Sequence, residues 1–345
     1  MNEGNASIHE LAPERRLRRL ELIITRRLDG LLHGQYLGLL PGAGSELAGS
    51  REYRPGEDEV RRMDWAVTAR TTVPHVREVD ADRELTTWLL VDATPSMDFG
   101  TAEIEKRELA VAATAAVGFL TAGSGNKLGA HVLGSETVPP GADRRVAGTR
   151  RDDQRQVSGV RRFPARTGRT HLLGLLRTLL TTPRGGEEAQ PPTLVEAIAG
   201  LRRAAPRRGL VVVVSDFLDG LPETDDPEAR PAWEEELRRV AVRHQVLAVE
   251  VADPRELELP DVGLITLVDP ETGRRREVST GSRRLRERYA AAASAQRETV
   301  RRALRRSGAA HLPLRTDRDW VADIVRHVFA QRRLAMAARP KRGSA

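Results

Sequence analysis

Two apolar runs in this chain end in aspartate: TTWLLVD at Asp92 and LVVVVSD at Asp216. Just past the first, two hydroxyls follow at alternate positions, Thr94 and Ser96, in the stretch DATPS. Alternate spacing in a tight loop turns Asp92, Thr94 and Ser96 toward one point. Carboxylate and hydroxyl oxygens are hard donors, suited to an octahedral Mg²⁺ or Mn²⁺ with water in the vacant positions. Asp98 and Asp219 lie close in sequence and either support these groups from behind or are simply solvated.

The same residues have a plainer reading. An aspartate at a strand end is often a turn former or helix cap, and Ser96 could cap the next helix by accepting backbone N–H bonds. A catalytic reading is also open, because Asp92 at a strand end beside a metal is where aspartyl nucleophiles of phosphotransferases sit. Against it, Thr94 stands two positions on, where haloacid-dehalogenase-type phosphatases carry an acid/base aspartate, and no lysine marks the end of a later strand. The chain has no cysteine, hence no thiolate ligand or nucleophile. It has no G-x-x-x-x-G-K-[ST] phosphate loop and no G-x-S-x-G elbow. Its eight histidines form no H-x-x-x-H pair, and His131 and His171 read as ordinary polar residues.

The elements that must position these groups alternate between strand and helix. Residues 12–34 read as an amphipathic helix, with Leu17, Leu20, Ile23, Ile24 and Leu28 near helical spacing. LLPGAGSELAGS reads as a loop, and residues 52–82 as short strands and turns wrapped onto the main domain. There a charged collar (Asp58, Asp64, Arg70) packs Trp65 against the sheet. Strands are expected at 84–92, 127–133, 160–165, 210–216, 245–251 and 311–315. Helices are expected at 103–122, 171–180, 194–204, 233–243, 282–306 and 318–333, with a hairpin over 263–280 and an exposed insertion at 141–158. This pattern predicts an α/β fold, a doubly wound, mostly parallel, Rossmann-like sheet, preceded by an N-terminal helix and a small β-rich lead-in. With strand order 3-2-1-4-5-6, Asp92 and Asp216 end neighbouring strands and face one crevice, where ligands collect in open sheets. The expected division is a lead-in over 1–83, the α/β domain over 84–335 and a disordered basic tail over 336–345.

A net charge of +7 raises the question of nucleic acid. The excess sits in arginine clusters at Arg15–Arg19, Arg301–Arg306 and Arg332–Arg342, interleaved with Leu and Ala as on solvated helix faces. Aromatic residues are only 3% of the chain, too few for base stacking, so no specific nucleic-acid role is expected. No stretch is long and apolar enough for a membrane span, and MNEGNASIHE lacks a signal-peptide pattern. A cytoplasmic location is the expectation.

Asp92-x-Thr94-x-Ser96 resembles the Asp-x-Ser-x-Ser signature of the metal-ion-dependent adhesion site in von Willebrand factor type A domains, with Thr94 in place of the first Ser. VVVVSDF resembles the strand that supplies the distal Asp of that site. Upstream, YRPGEDEVRRMDWAVTAR followed by a charged linker and ELTTWLLVDATPSMDFG is similar to domain-of-unknown-function family 58. Members of that family carry Tyr-x-Pro-Gly, an acidic stretch, Asp-Trp and Ala-Arg ahead of the metal loop. The resemblance covers residues from about 12 to 335. It implies a von Willebrand factor type A-like fold and a Mg²⁺ or Mn²⁺ site of Asp92, Thr94, Ser96, Thr193 and Asp216, where chain order favours Thr193 in QPPTLVEAI as the third hydroxyl and Thr170 in TGRTHLLG is its competitor. It further implies a non-enzymatic role beside a MoxR-type AAA+ ATPase in chaperone-like maturation of client proteins.

Overall fold

A computed structural model of the chain describes residues 13–24, 26–27, 50–54, 60, 63–77, 85–102, 104–121, 125–134, 159–182, 192–222, 229–268 and 274–337. The expected loop from residue 39, most of the loop before Thr193, the insertion at 141–158 and most of the basic tail lie outside the described residues. By backbone contacts the chain divides into two units, one of residues 1–34 and 85–327, the other of residues 35–84 and 328–345.

In the second unit, β1 (Ser50–Glu52) pairs antiparallel with β2 (His75–Arg77), and α2 (Trp65–Thr71) lies between them in sequence. The expected short strands are present as β1 and β2, but a helix lies between them where only strands and turns were expected. The Asp64 carboxylate accepts the Val67 amide at 3.2 Å, which starts a helix at Trp65. Trp65 is correspondingly 66% exposed and does not serve as a buried anchor.

The first unit holds α1 (Pro13–Ile24) and a six-stranded sheet. Its strands are β3 (Thr86–Asp92), β4 (Lys127–Leu133), β5 (Val160–Arg166), β6 (Leu210–Ser215), β7 (Gln245–Ala252) and β10 (Ala310–Arg315). They lie in the order β10-β7-β6-β3-β4-β5, all parallel except β5 against β4. Numbered along the chain, that is the expected 3-2-1-4-5-6, the doubly wound arrangement with its switch point between β3 and β6. β8 (Leu264–Val268) and β9 (Arg275–Ser279) form the expected hairpin.

The helices fall on both faces. Leu90, Val211 and Val213 pack with Leu194, Ile198 and Leu201 of α5 (Leu194–Ala204), Leu237 of α6 (Glu234–Ala241) and Val300 of α8 (Arg283–Arg306). Strand alternation sends Leu89, Val91, Val212 and Val214 to the other face. That face meets α3 (Lys106–Thr121), which packs on β3, β6, β7 and β10 and against α4 (Arg169–Thr181). An apolar, alanine-rich helix such as α3 suits a buried position because small side chains allow it to lie close to the sheet on one side and to α4 on the other. Gly118 permits that approach, since a Cβ there would stand 2.4 Å from Leu172. Each fully buried Leu, Ile or Val contributes about 2 kcal/mol by leaving water, so these two layers hold β3 and β6 in register. The short α7 (Pro254–Leu257) and the closing α9 (Trp320–Ala337) complete the described elements.

Candidate functional site

β3 and β6 are direct neighbours, with Val91 opposite Val214. Their parallel register delivers Asp92 and the Ser215–Asp216 pair to the same sheet edge. Asp92 is 4% exposed and all its oxygens are engaged. Oδ1 accepts the Thr94 amide at 3.0 Å and the Thr94 hydroxyl at 2.6 Å, while Oδ2 accepts the Ser215 hydroxyl at 2.6 Å. The Thr94 and Ser96 hydroxyls are hydrogen-bonded at 3.2 Å, and Ser96 lies close enough to Asp216 to favour its charged form. Asp92, Thr94, Ser96 and Asp216 thus meet in one cluster.

The plain capping reading accounts for part of this. Asp92 does form an aspartate turn with the Thr94 amide. Ser96, however, lies inside a single 3₁₀ turn, Pro95–Met97, and α3 begins only at Lys106. Its hydroxyl serves the cluster instead of a helix end. The backbone beyond Asp216 is strained in support of the site. Phe217 takes φ +58° although it is a bulky non-glycine residue, and its fully buried ring is locked edge-on to Trp233 at 5.3 Å. Such strain persists only where packing over-determines it.

Thr193 is placed differently. Its exposed hydroxyl accepts the Glu196 amide at 3.3 Å and the Glu196 carboxylate accepts the Thr193 amide at 3.0 Å, a complete capping box for α5. The next amide, Leu194, donates to Asp219 Oδ2 at 2.5 Å, tying α5 to the loop after β6. Thr170 is exposed in the first turn of α4. Asp98 is ion-paired with Arg107 at 2.5 Å, and Arg107 also donates to the Ala93 carbonyl at 2.8 Å, so this pair braces the loop from behind.

Lys106 was missed by the sequence reading, which looked for a lysine only at the end of a later strand. It is 0% exposed, with Nζ 2.8 Å from Asp216 Oδ2 and 2.5 Å from Glu256 Oε1. Arg297 extends the network, donating to Glu250 at 2.8 Å, Glu256 at 3.2 Å and the Asp216 carbonyl at 3.2 Å. No local signal pointed to it: a lysine opening a helix reads as a solvated charge, and its carboxylate partners come from segments 110 and 150 residues away.

The two aspartates are consequently unequal. Burial, and then the charge of Asp216, raise the Asp92 pKa to about 6; hydrogen bonds from Ser215 and Thr94 only partly oppose this. Burial pushes Asp216 the same way, but the Lys106 ammonium outweighs it, with the Leu218 amide and Ser96 adding to the effect, and Asp216 lies below the usual range. Burial would also lower Lys106, yet Asp216 and Glu256 hold it above its ordinary value. Opposite charges near 4 Å attract by about 4 kcal/mol even at an effective dielectric of about 20, so the pair stays ionised.

Among the described residues no group of three or more His, Cys, Asp or Glu side chains could hold a metal. An ion here therefore depends on two carboxylates and two hydroxyls. That donor set fits a hard cation. The Thr94 hydroxyl gives its proton to Asp92 and can accept that of Ser96 across the 3.2 Å contact, so each hydroxyl oxygen keeps a lone pair for a hard cation.

The fold and crevice define a doubly wound α/β protein with a paired-carboxylate, hydroxyl-lined site at its switch point. The chain belongs to the family described as "Protein of unknown function DUF58", whose model matches residues 49–149 and 154–299. It is 50% identical over 321 residues to the uncharacterized protein Rv1480 of Mycobacterium tuberculosis, covering 93% of this chain and 90% of that protein. It is 47% identical over 178 residues to the uncharacterized protein MAV169 of Mycobacterium avium, covering 52% of this chain and 98% of that one. Among solved structures it is similar to the conserved hypothetical protein BatB from Bacteroides thetaiotaomicron (13% identity, TM-score 0.38, 72% of this chain and 99% of that chain). It is also similar to an aerotolerance-related membrane protein from Bacteroides fragilis (11% identity, TM-score 0.41, 71% and 99%). No helix among the described residues is long and apolar enough to cross a membrane.

Proposed function

We propose that this chain is a non-enzymatic, cytoplasmic protein-interaction module whose crevice at Asp92 engages a partner through Mg²⁺ or Mn²⁺. The observation that carries the reading is the convergence of Asp92, Thr94, Ser96 and Asp216 from two neighbouring strand ends. When bound, the ion supplies an open coordination position for a carboxylate of the partner. Asp92 contributes the charge, Thr94 and Ser96 contribute neutral oxygens, and Asp216 closes the site directly or through water. Thr193, which caps α5, would join directly or through water. Few anionic donors leave an ion electrophilic toward an incoming acid group. Membership of the family suggests a MoxR-type AAA+ ATPase as the partner, acting with client proteins; that choice rests on association and not on a residue here.

Co-purification of the tagged full chain with such an ATPase, with and without chelator, tests the reading. Binding should weaken on chelation and in Ser96→Ala, which removes a neutral donor without changing charge. Partner capture indifferent to chelator and to Ser96→Ala would sink it.

One observation favours a second reading, an aspartate-based phosphotransferase: Lys106 brings a buried ammonium to Asp216 from the start of α3, where the sequence analysis looked for one at the end of a later strand. Against it, both oxygens of Asp92 already accept hydrogen bonds from hydroxyls, and Thr94 offers no acid/base group. Metal-dependent turnover of phosphoesters that vanishes in Asp92→Asn would establish this alternative.

A further inference from the structure

Lys106 has no local reason to be where it is. It opens α3, where the helix dipole repels a cation, and it is wholly removed from water. Two carboxylates from distant segments hold it, Asp216 at 2.8 Å and Glu256 at 2.5 Å. Arg297 adds a second positive group, spanning Glu256 and Glu250 and reaching the Asp216 carbonyl. A buried carboxylate without a counter-charge is costly, so a crevice with two aspartates needs a cation from somewhere. The fold provides one covalently, at the aspartate that lies beyond β6, and among the described residues leaves Asp92 with hydroxyl and amide hydrogen-bond partners only.

We propose that Lys106 is a tethered cation that stands in for a divalent ion at Asp216 and sets the crevice to bind such an ion weakly. The inference rests on the reading of the crevice as a divalent-cation site and names the residue that tunes it. A crevice neutralised in this way stays folded with no ion present. It accepts a dication only against the field of the ammonium, so occupancy depends on an additional negative group, such as the partner's carboxylate. The Lys106 ammonium donates to Asp216 and Glu256, and its action on the crevice is through Asp216.

The test measures Mn²⁺ affinity of the full chain by calorimetry and water-proton relaxation, together with the Mn²⁺-induced rise in Tm. Lys106→Met removes the charge with similar length. Lys106→Gln, whose amide still donates to Asp216, serves where the methionine variant does not fold. Either variant should bind Mn²⁺ at least about tenfold more tightly than wild type, because a unit charge within a few ångströms of a dication costs more than that factor even in screened surroundings. Adding Asp216→Asn to Lys106→Gln should remove the gain. Affinity unchanged or weakened in both lysine variants would overturn the proposal and leave Lys106 a purely structural clamp. The underlying site reading fails separately: Mn²⁺ binding that survives Asp92→Ala places the ion elsewhere, and no Mn²⁺ binding in any variant sinks both.

Discussion

The raised pKa of Asp92 yields a stability prediction whose sign and size can be worked out. Asp92 is 4% exposed, and burial followed by the charge of Asp216 lifts its pKa to about 6, against an ordinary value of 3.8. A carboxyl group whose native pKa exceeds its unfolded one keeps its proton longer in the folded protein. Between about pH 4 and pH 6 the native state therefore binds more protons, and its stability falls as pH rises. Below about pH 4 the penalty is absent; above about pH 6 it is complete. At about 1.4 kcal/mol for each tenfold change in proton affinity, the full penalty is about 3 kcal/mol. Asp92→Asn carries no titrating group. Its loss of one acceptor oxygen, toward Ser215 or Thr94, costs about 1 kcal/mol at every pH and acts as a constant offset. The difference in unfolding free energy between variant and wild type should thus move by about 3 kcal/mol in the variant's favour from pH 4 to pH 7. Urea unfolding in the presence of chelator, repeated across that range, measures the difference and cancels the contributions of other carboxylates. A difference that is flat with pH, or that moves toward the wild type, would refute the electrostatic account of the crevice.

The remaining expectations are structural. Thr193→Ala removes the oxygen of the α5 capping box and should cost about 1 kcal/mol in urea unfolding, while lowering Mn²⁺ affinity less than Ser96→Ala does. An equal or larger loss of Mn²⁺ affinity would make Thr193 a direct ligand. Gly209→Ala should destabilise the sheet by about 2 kcal/mol, because the added Cβ would stand 2.2 Å from the Thr86 carbonyl oxygen, a backbone atom at the entry to β3 that cannot rotate aside. Wild-type stability in this variant would mean that the entries to β3 and β6 are farther apart than described.

Much of the architecture was legible in the residues themselves. TTWLLVD and LVVVVS are continuous apolar runs because both of their faces are covered, and alternation with helical segments left a doubly wound sheet as the natural solution. Strand order followed, and with it the neighbouring ends of β3 and β6. The Asp92-x-Thr94-x-Ser96 loop was equally legible, since a tight turn brings alternate side chains together through local geometry alone. The lead-in misled, because Trp65 among charges looks like an anchor. Its exposure depends on a helix started by the single carboxylate of Asp64.

Tertiary structure alone decided the electrostatics of the site. Lys106, Asp216, Glu256 and Arg297 come from α3, the end of β6, α7 and α8, and sequence separations of 110 and 150 residues part the lysine from its two carboxylates. In a linear sequence a lysine at a helix start reads as a solvated surface charge, because its energy there depends on water. Folding removes the water and substitutes carboxylates delivered by distant segments. Whether Asp216 is a free ligand or already neutralised is set by that exchange of solvation for long-range pairing, which has no local sequence pattern.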